Sequence, residues 1–579
     1  MKNKDIADLL TRLGMLLEIK GENVFKIKAY FKAADHISAL PEDIADIKQQ
    51  NRLEEIPGVG KAIKEKIIEW LDTGRLSSYE KLIKEIPESL LEITNIPSVG
   101  PKKAKLFYEE LNIKTPSELL KAAQDGKLEK LPGIQSKTIE KIIKNIGIVE
   151  KGQERINRGT ADHIAAGIVS ELSGLKSVKQ IDVAGSFRRC QETVRDIDIL
   201  VQSSNPGEVM EKFVNLPVVK SINARGDTKS SVMTDRNIQV DLRVVDKKHY
   251  GAALLYFTGS KNFNIKLRQI AIKKKLKVNE YGVFKILEGK EDEYLAGKTE
   301  TDCLKALGLN FVPPELREEI GINELFDGDS IKSVPELVEQ EHIKGEFHVH
   351  SKYSDGKDTI QQMAEKAKQL GYEYLAISDH SIGLRIARGV SPKNLVKKKK
   401  EIDRLNQVDQ KCHILMGAEV EIDTDGNLDY NDSILSEFDV VIAAIHGGFE
   451  QSSKQLTKRL ISACTNKYVN IIAHPMGVHF GKRDPYQIDF KEVCKAAVDN
   501  NVFLEINSFP IRLDLDSHNV YLARKHGVKF AINSDAHRVE HMDYIKYGIG
   551  IARRGWLNKQ DILNSLTFKQ LNSALKKNY

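Results

Sequence analysis

The sequence predicts a multidomain chain of three structural characters: an all-α N-terminal region, a mixed α+β sheet, and seven strand–helix repeats forming a barrel or a wound parallel sheet. Three observations predict it. Apolar residues recur at spacings of three and four through the first 145 residues, broken by short Pro/Gly turns. From about residue 180 the pattern changes to short β-branched runs, IDVAGS, DIDILVQ and IQVDLRVV. After residue 340 come GEFHVHS, YEYLAISDHS, CHILMGAEVEI, FDVVIAAIHG, YVNIIAHP, NVFLEINS and VKFAINSDAH, alternating with helical stretches.

Composition sets the outer limits. A chain of 579 residues is about four domains at roughly 150 residues each, which excludes a single core. With 41% apolar and 29% charged residues it is ordinary globular protein. No apolar run approaches the roughly 20 residues of a membrane helix, and the charged, amphipathic N-terminus lacks a signal peptide's apolar stretch. The expectation is a cytoplasmic protein with no membrane partner, acting as a monomer. Five scattered cysteines without a CxxC pair argue against both a disulfide framework and a thiolate zinc site. A net charge of +6 is too small to argue for nucleic acid. Histidine is more telling: 12 of the 15 lie after residue 340.

The helical region repeats itself. Residues 53–67, 93–107 and 129–142 each set an apolar residue, Pro and a small turn before a Lys-bearing helix. Such hairpins let backbone N–H groups approach a phosphate and hold DNA without reading its sequence. Gly58, Val59 and Gly60 form the first candidate contact, Val99, Gly100 and Lys102 the second. The third, with Gln135 in place of the second glycine, reads as structural.

In the sheet region, Gly185 and Ser186 end one strand, and Asp196 and Asp198 share a face of the next by the two-residue period. Asp241, on a third strand, completes a carboxylate set suited to two Mg²⁺ ions, which would activate an attacking oxygen and neutralise a leaving pyrophosphate. Residues 301–340 carry three basic and nine acidic residues, and their latter part reads as a linker.

In the last domain every strand run but the sixth ends in a ligand-type side chain. His348 and His350 share one face, as do Asp535 and His537; His380, Glu419, His446 and His474 close the second to fifth runs, and Asp355 follows the first. A parallel barrel gathers strand C-termini at one mouth, so these nine can converge. Imidazole and carboxylate without thiolate favour Mn²⁺, Zn²⁺ or Fe²⁺ in a multinuclear site, and phosphoester hydrolysis as its chemistry. His413 and His526 are set aside as single histidines. Arg388 and Arg512 lie near strand ends as candidate phosphate contacts.

GSFRR (185–189), DID (196–198), DLR (241–243) and YFTGS (256–260) resemble the signature series of family X DNA polymerases over roughly residues 1–318. FHVHSKYSDG, SDH, GAEVEI, IHG, AHP and NSDAH resemble the PHP superfamily over 342–579. The resemblance implies an all-α helix-hairpin-helix N-terminal region, an α+β nucleotidyltransferase palm with thumb, and a C-terminal (β/α)₇ PHP barrel holding up to three metal ions. It divides the chain into a lyase-like domain (1–85), a helix-hairpin-helix region (86–147), palm (148–247), thumb (248–318), linker (319–341) and barrel (342–579).

By the same resemblance Asp196, Asp198 and Asp241 bind Mg²⁺ and catalyse nucleotidyl transfer. Arg155, Gly185, Ser186 and Arg189 hold the triphosphate. Tyr256, Phe257 and Gly259 wall the sugar side, and Asn264 and Arg268 face the nascent pair and template. Lys66 matches a Schiff-base lyase lysine, with Lys26 and Tyr30 supporting. Gln239 stands where vertebrate members have an arginine, and Lys261 where they have an acidic residue. The implied activity is dNTP addition at short gaps in primer-template DNA, with a Mn²⁺- or Zn²⁺-dependent barrel acting as a 3′→5′ exonuclease, an abasic-site nuclease or a 3′-end cleaner. Two alternatives stand beside it: a DNA-binding adaptor delivering a hydrolase, and a small-molecule phosphatase.

Overall fold

The computed structural model describes residues 3–38, 40, 42–94, 96, 99–132, 134, 139, 142, 155–287, 290 and 292–575. The chain forms two compact units, one of residues 1–155, 172–182 and 198–311, the other of 156–171, 183–197 and 312–579. No described helix is long and apolar enough to cross a membrane.

The first unit opens with short helices around one apolar cluster that runs from Ile6 to Ile142. The first hairpin leads into α1 (Lys61–Thr73) and the second into α2 (Pro101–Leu111). Both helices start in the same way: Val59 and Val99 are buried, and the capping glycines Gly60 (φ −87°, ψ 176°) and Gly100 (φ −85°, ψ 174°) are extended. The third hairpin, with Gln135, lies mostly outside the described residues.

The central sheet contains β1 (Val178–Val183), β2 (Asp196–Ser203), β3 (Val219–Arg225), β4 (Lys229–Thr234) and β5 (Gln239–Val245), in the order β1-β2-β5-β4-β3. One helical turn, α3 (Gly185–Arg188), separates β1 from β2. Exposure alternates along β5 and over the first four residues of β2, with Ile197, Val240 and Leu242 buried and the aspartates on the opposite face. Helices α4 (Tyr250–Thr258) and α5 (Lys261–Lys273) follow, then a three-stranded antiparallel sheet of residues 276–296.

The second unit is built on seven parallel strands in sequential order: β6 (Gly345–Val349), β7 (Tyr374–His380), β8 (His413–Glu421), β9 (Val440–Ala444), β10 (Val469–Ile472), β11 (Phe503–Asn507) and β12 (Phe530–Asn533). A parallel bridge between Val349 and Ala536 brings the last strand back to the first. The barrel's floor is apolar, with Tyr374 and Ala376, Leu415, and Ile442 and Ala444 among its residues. Steps of two from these residues along the same faces lead to His380, Glu419 and His446 at the mouth. Helices α6 (Pro392–Val408), α7 (Ser517–Lys525) and α8 (Ile545–Arg554) are among those flanking the strands. Of the stretch 319–341 read as a linker, Ile322–Leu325 is helical, Phe326–Asp327 pairs with Ser330–Ile331, and Val338 joins the barrel's core.

Candidate metal centre and nucleotide site

In the first unit, the cap of each hairpin leaves its helix N-terminus open. Neither Gly60 nor Gly100 has a side-chain capping bond, and a Cβ built on either would meet nothing within 4 Å. Gly58 has another purpose: its φ is +94°, and a Cβ would fall 2.7 Å from the backbone nitrogen of Ala33. Lys102 is exposed on the first turn of α2. Lys66 is half-buried on α1, near Glu69, whose carboxyl is held low by the Ser77 side chain and backbone, with Lys66 and Lys81 adding to the effect. Lys26 is paired with Glu22 at 3.1 Å, and the buried Tyr30 hydroxyl is pushed up by burial.

Asp196 opens β2, Asp198 follows on the same face, and Asp241 lies on the neighbouring strand β5. Gln239 donates through its amide nitrogen to both carboxylate oxygens of Asp241, at 3.2 and 3.1 Å. The neutral amide thus occupies the place beside the third aspartate where the resemblance expects a cation. Tyr256, Asn264 and Arg268 line one pocket together with Ala252 and Leu267. Asn264 is held by its amide bond to the Tyr256 carbonyl (2.7 Å), Phe257 lies edge-on to Tyr256, and Arg243 stacks 4.3 Å over Phe257. Gly259 ends α4 at a φ of 69°, and Lys261 starts α5. Exposed Arg155 precedes the two-residue strand Ile156–Asn157. In the second unit, Gly185 and Ser186 open α3, and Arg189 caps its end and pairs with Glu318 at 2.8 Å.

The barrel mouth brings its predicted side chains together. Three groups have ligand atoms within 4.8 Å of one another: His350, Asp355, His380 and His537; His348, His350 and Asp535; His380, Glu419 and His446. His474 joins through its Nε2, 3.0 Å from Glu419 Oε1. Glu419 is the hub, with His380 Nδ1 at 2.8 Å, His446 Nε2 at 3.1 Å and His348 Nε2 at 3.3 Å. The His350 ring stacks between His380 (4.5 Å) and His537 (4.2 Å). Among the described residues these are the only groups at ligand spacing, and the three sheet aspartates are not among them.

The donor set fits cations. His350 Nδ1 and His474 Nδ1 are buried without hydrogen-bond partners, and His348 Nε2, His350 Nε2, His380 Nδ1 and His446 Nε2 meet only the carboxylates of Glu419 and Asp535, without the alignment of a hydrogen bond. Each such orphan costs about 1–3 kcal/mol, and a cluster of them at one mouth is explained by ions that accept their lone pairs. The electrostatics agree. Burial opposes ionisation of Glu419, yet His380, His348 and His446 hold its carboxyl well below the ordinary range. Asp535 is likewise held low, against burial, by His348 and His350. Burial, His537 and His380 push His350 down to about 4, whereas Glu419 and Glu421 outweigh burial and raise His446 to about 9.

Asp535 and His537 do not share a strand face, because β12 ends at Asn533; they sit in the following loop, where Asp535 takes a φ of 53° and its side chain is held by Asn507 at 3.1 Å. The sixth strand supplies no member of the ligand groups, but it supports them. Glu505 in β11 accepts from His348 Nδ1 (2.7 Å) and the His474 amide (2.8 Å), while Glu421 does the same for His446 Nδ1 (2.6 Å). Such carboxylates orient ligand imidazoles. The signal was present in NVFLEINS, where one acid interrupts an apolar strand that leaves no water to solvate it. Lys398 of α6, fully buried, pairs with Asp379 at 2.9 Å, and Asp379 fastens Ser351 and Ser354 between His350 and Asp355. Arg512 pairs with Asp535 at 3.3 Å and keeps a buried Nη1 without a hydrogen-bond partner. His413 starts β8, at the end away from Glu419.

Comparison with known families matches residues 1–76 to a helix-hairpin-helix domain, 90–147 to a SAM-like helix-hairpin-helix tandem, 253–318 to the DNA polymerase beta thumb, and 346–509 to the PHP domain. The DNA polymerase/3'-5' exonuclease PolX of Bacillus subtilis (strain 168) is 39% identical over 580 residues, covering 100% of both chains. DNA polymerase lambda of Rattus norvegicus is 24% identical over 344 residues, 55% of this chain and 56% of its own. A probable phosphatase of Thermoanaerobacter sp. (strain X514) is 35% identical over 162 residues, 26% of this chain and 64% of its own. Matched over its full length, the chain belongs to the family X DNA polymerases that carry helix-hairpin-helix domains, a polymerase thumb and a C-terminal PHP domain.

Proposed function

We propose that the chain fills short gaps in DNA during repair and trims 3′ ends, using two separate sites. The observation that carries this reading is the complete barrel cage, nine ligand-type side chains with orphaned buried nitrogens, in one chain with the carboxylate strands β2 and β5. An adaptor without synthesis has no need of Asp196, Asp198 and Asp241 on adjacent strands.

At the sheet, Asp196, Asp198 and Asp241 would hold Mg²⁺, and Gln239 keeps the Asp241 carboxylate in one orientation. Gly185, Ser186 and Arg189, with Arg155, bind the triphosphate; a guanidinium fork suits its oxygens. Tyr256, Phe257 and Gly259 wall the sugar, and Asn264 and Arg268 meet the nascent pair. The hairpins at Gly58–Gly60 and Val99–Lys102 hold the DNA backbone through open helix N-termini. Substrates are gapped or primer-template DNA and dNTPs.

At the barrel, the nine ligands would hold up to three Mn²⁺ or Zn²⁺ ions, which when bound supply Lewis-acid activation of water and charge neutralisation on a phosphoryl group. Glu505 and Glu421 fix the His348 and His446 rings so that each Nε2 faces the cage. Arg512 offers its unpartnered Nη1 to a phosphate oxygen. The chain acts as a monomer in the cytoplasm.

The test is a 5′-labelled gapped duplex with Mn²⁺ or Mg²⁺, with and without dNTPs. Asp196→Ala abolishes extension and spares 3′ trimming, and His350→Ala does the reverse. Loss of both activities in either variant would contradict two separate sites.

A further inference from the structure

The loop that carries Gly185, Ser186 and Arg189 packs in the same compact unit as the barrel. It cannot hold itself. Its helix α3 has four residues, far short of the length at which a helix is stable alone, and it is bracketed by residues of positive φ, Gly185 at 64° and Cys190 at 59°. A cysteine in that conformation persists only where its surroundings impose it.

Helix α8 supplies those surroundings. Arg554, 7% exposed, pairs through Nη1 with Glu192 at 3.0 Å and lies 3.8 Å by Nη2 from Glu318. Glu318 in turn accepts from Arg189 Nε at 2.8 Å and from the Gln191 amide at 2.9 Å. The second oxygen of Glu192 accepts the backbone N–H of Ser517 at the start of α7, also at 2.8 Å. One turn back along α8, the glycine at 550 admits Cys190: a Cβ there would lie 3.1 Å from its sulfur. A second clasp joins Lys546 and Tyr547 to Asp162, at 2.6 and 2.8 Å. The Glu192 end of the 185–192 loop is therefore fastened to one barrel helix by a charged, largely dehydrated bond, stronger and more directional than a neutral one, while the same helix also holds Asp162 of the helix Arg158–Ser173.

We propose that Arg554 is a positioning residue for nucleotide addition: through Glu192 and Glu318 it holds Arg189 and the Gly185–Ser186 turn where the incoming triphosphate binds. Synthesis thereby depends on a side chain of the PHP half that takes no part in hydrolysis. This rests on the assignment of Gly185, Ser186 and Arg189 to the triphosphate.

The experiment uses the full-length protein as wild type, R554M, R554K and R189A. It measures KM for dNTP and kcat in single-nucleotide gap filling, and 3′ trimming on the same preparations. R554M raises KM for dNTP on the order of tenfold, the usual size of a coupling between residues in one network. Its trimming rate stays within about twofold of wild type, and R554K, which keeps the charge, recovers most of the affinity. R189A raises KM at least as much. If R189A raises KM and R554M does not, the positioning role is wrong while the triphosphate assignment stands. If R189A leaves KM unchanged, the assignment itself fails. A parallel fall of synthesis and trimming in R554M would mean general loss of structure and would also overturn the proposal.

Discussion

Glu505 is fully buried and makes four hydrogen bonds. Oε1 accepts from His348 Nδ1 (2.7 Å) and Asn533 Nδ2 (2.9 Å), and Oε2 from the His474 backbone N–H (2.8 Å) and Asn507 Nδ2 (3.1 Å). Glu505→Gln keeps the shape and removes the charge, but one carboxylate oxygen becomes an NH₂ facing two donors. Whichever way the amide turns, two of the four bonds are lost, each leaving a buried donor unpaired at about 1–3 kcal/mol. One rotamer frees His348 Nδ1 and the other the His474 backbone N–H, so either way one histidine of the cage loses an orienting bond. Outer carboxylates of this kind contribute about 10–100-fold to metal affinity. The assay is titration of metal-stripped protein with Mn²⁺ by calorimetry, alongside trimming rate against Mn²⁺ concentration. The expected result is a weakened Mn²⁺ affinity in that range, with trimming partly restored by excess Mn²⁺ and gap filling unchanged. Unchanged Mn²⁺ affinity would refute the orienting role.

Other outcomes follow from the same geometry. Glu419 and Glu421, and Asp355 and Asp535, outweigh burial and raise His446 and His537 to about 9, so a metal ion taking their ring nitrogens would displace protons. Affinity should rise with pH toward 9 and fall as pH is lowered, and calorimetry in buffers of different ionisation enthalpy should detect the proton release. Lys398→Met strands the buried Asp379 carboxylate; breaking such a pair costs about 3–5 kcal/mol, read as a lowered thermal midpoint of the barrel. Gly58→Ala puts a Cβ against the Ala33 backbone at positive φ and should destabilise the first unit by on the order of 1–3 kcal/mol, whereas Gly100→Ala, with open space at its Cβ, should leave unfolding nearly unchanged. Gln239→Leu removes both bonds to Asp241 and should lower kcat for gap filling without altering trimming, measured on the same gapped duplex.

Much of the barrel was legible in the sequence because its chemistry repeats with the strand period. His380, Glu419 and His446 stand at equivalent strand ends, and a parallel sheet has no other way to order them. The two hairpins were legible because Pro followed three residues later by Gly, before a Lys-bearing helix, is a local event, determined by residues within one turn of each other. The aspartates of β2 and β5 were legible as faces of strands, by alternation with Ile197, Val240 and Leu242. What tertiary structure decided lies between residues far apart in the chain. Glu505 looked like an interruption in an apolar run until the barrel curled to place it 2.7 Å from His348. Asp535 and His537 reach the cage from a loop because β12 stops early and Asn507 catches the carboxylate. Arg554 shows no motif at all; only packing brings it to Glu192, 362 residues away. Ligand identity is set by local pattern and side-chain chemistry, which a sequence carries. The orientation of those ligands is set by buried charge pairs, and which charges meet depends on how the whole chain closes.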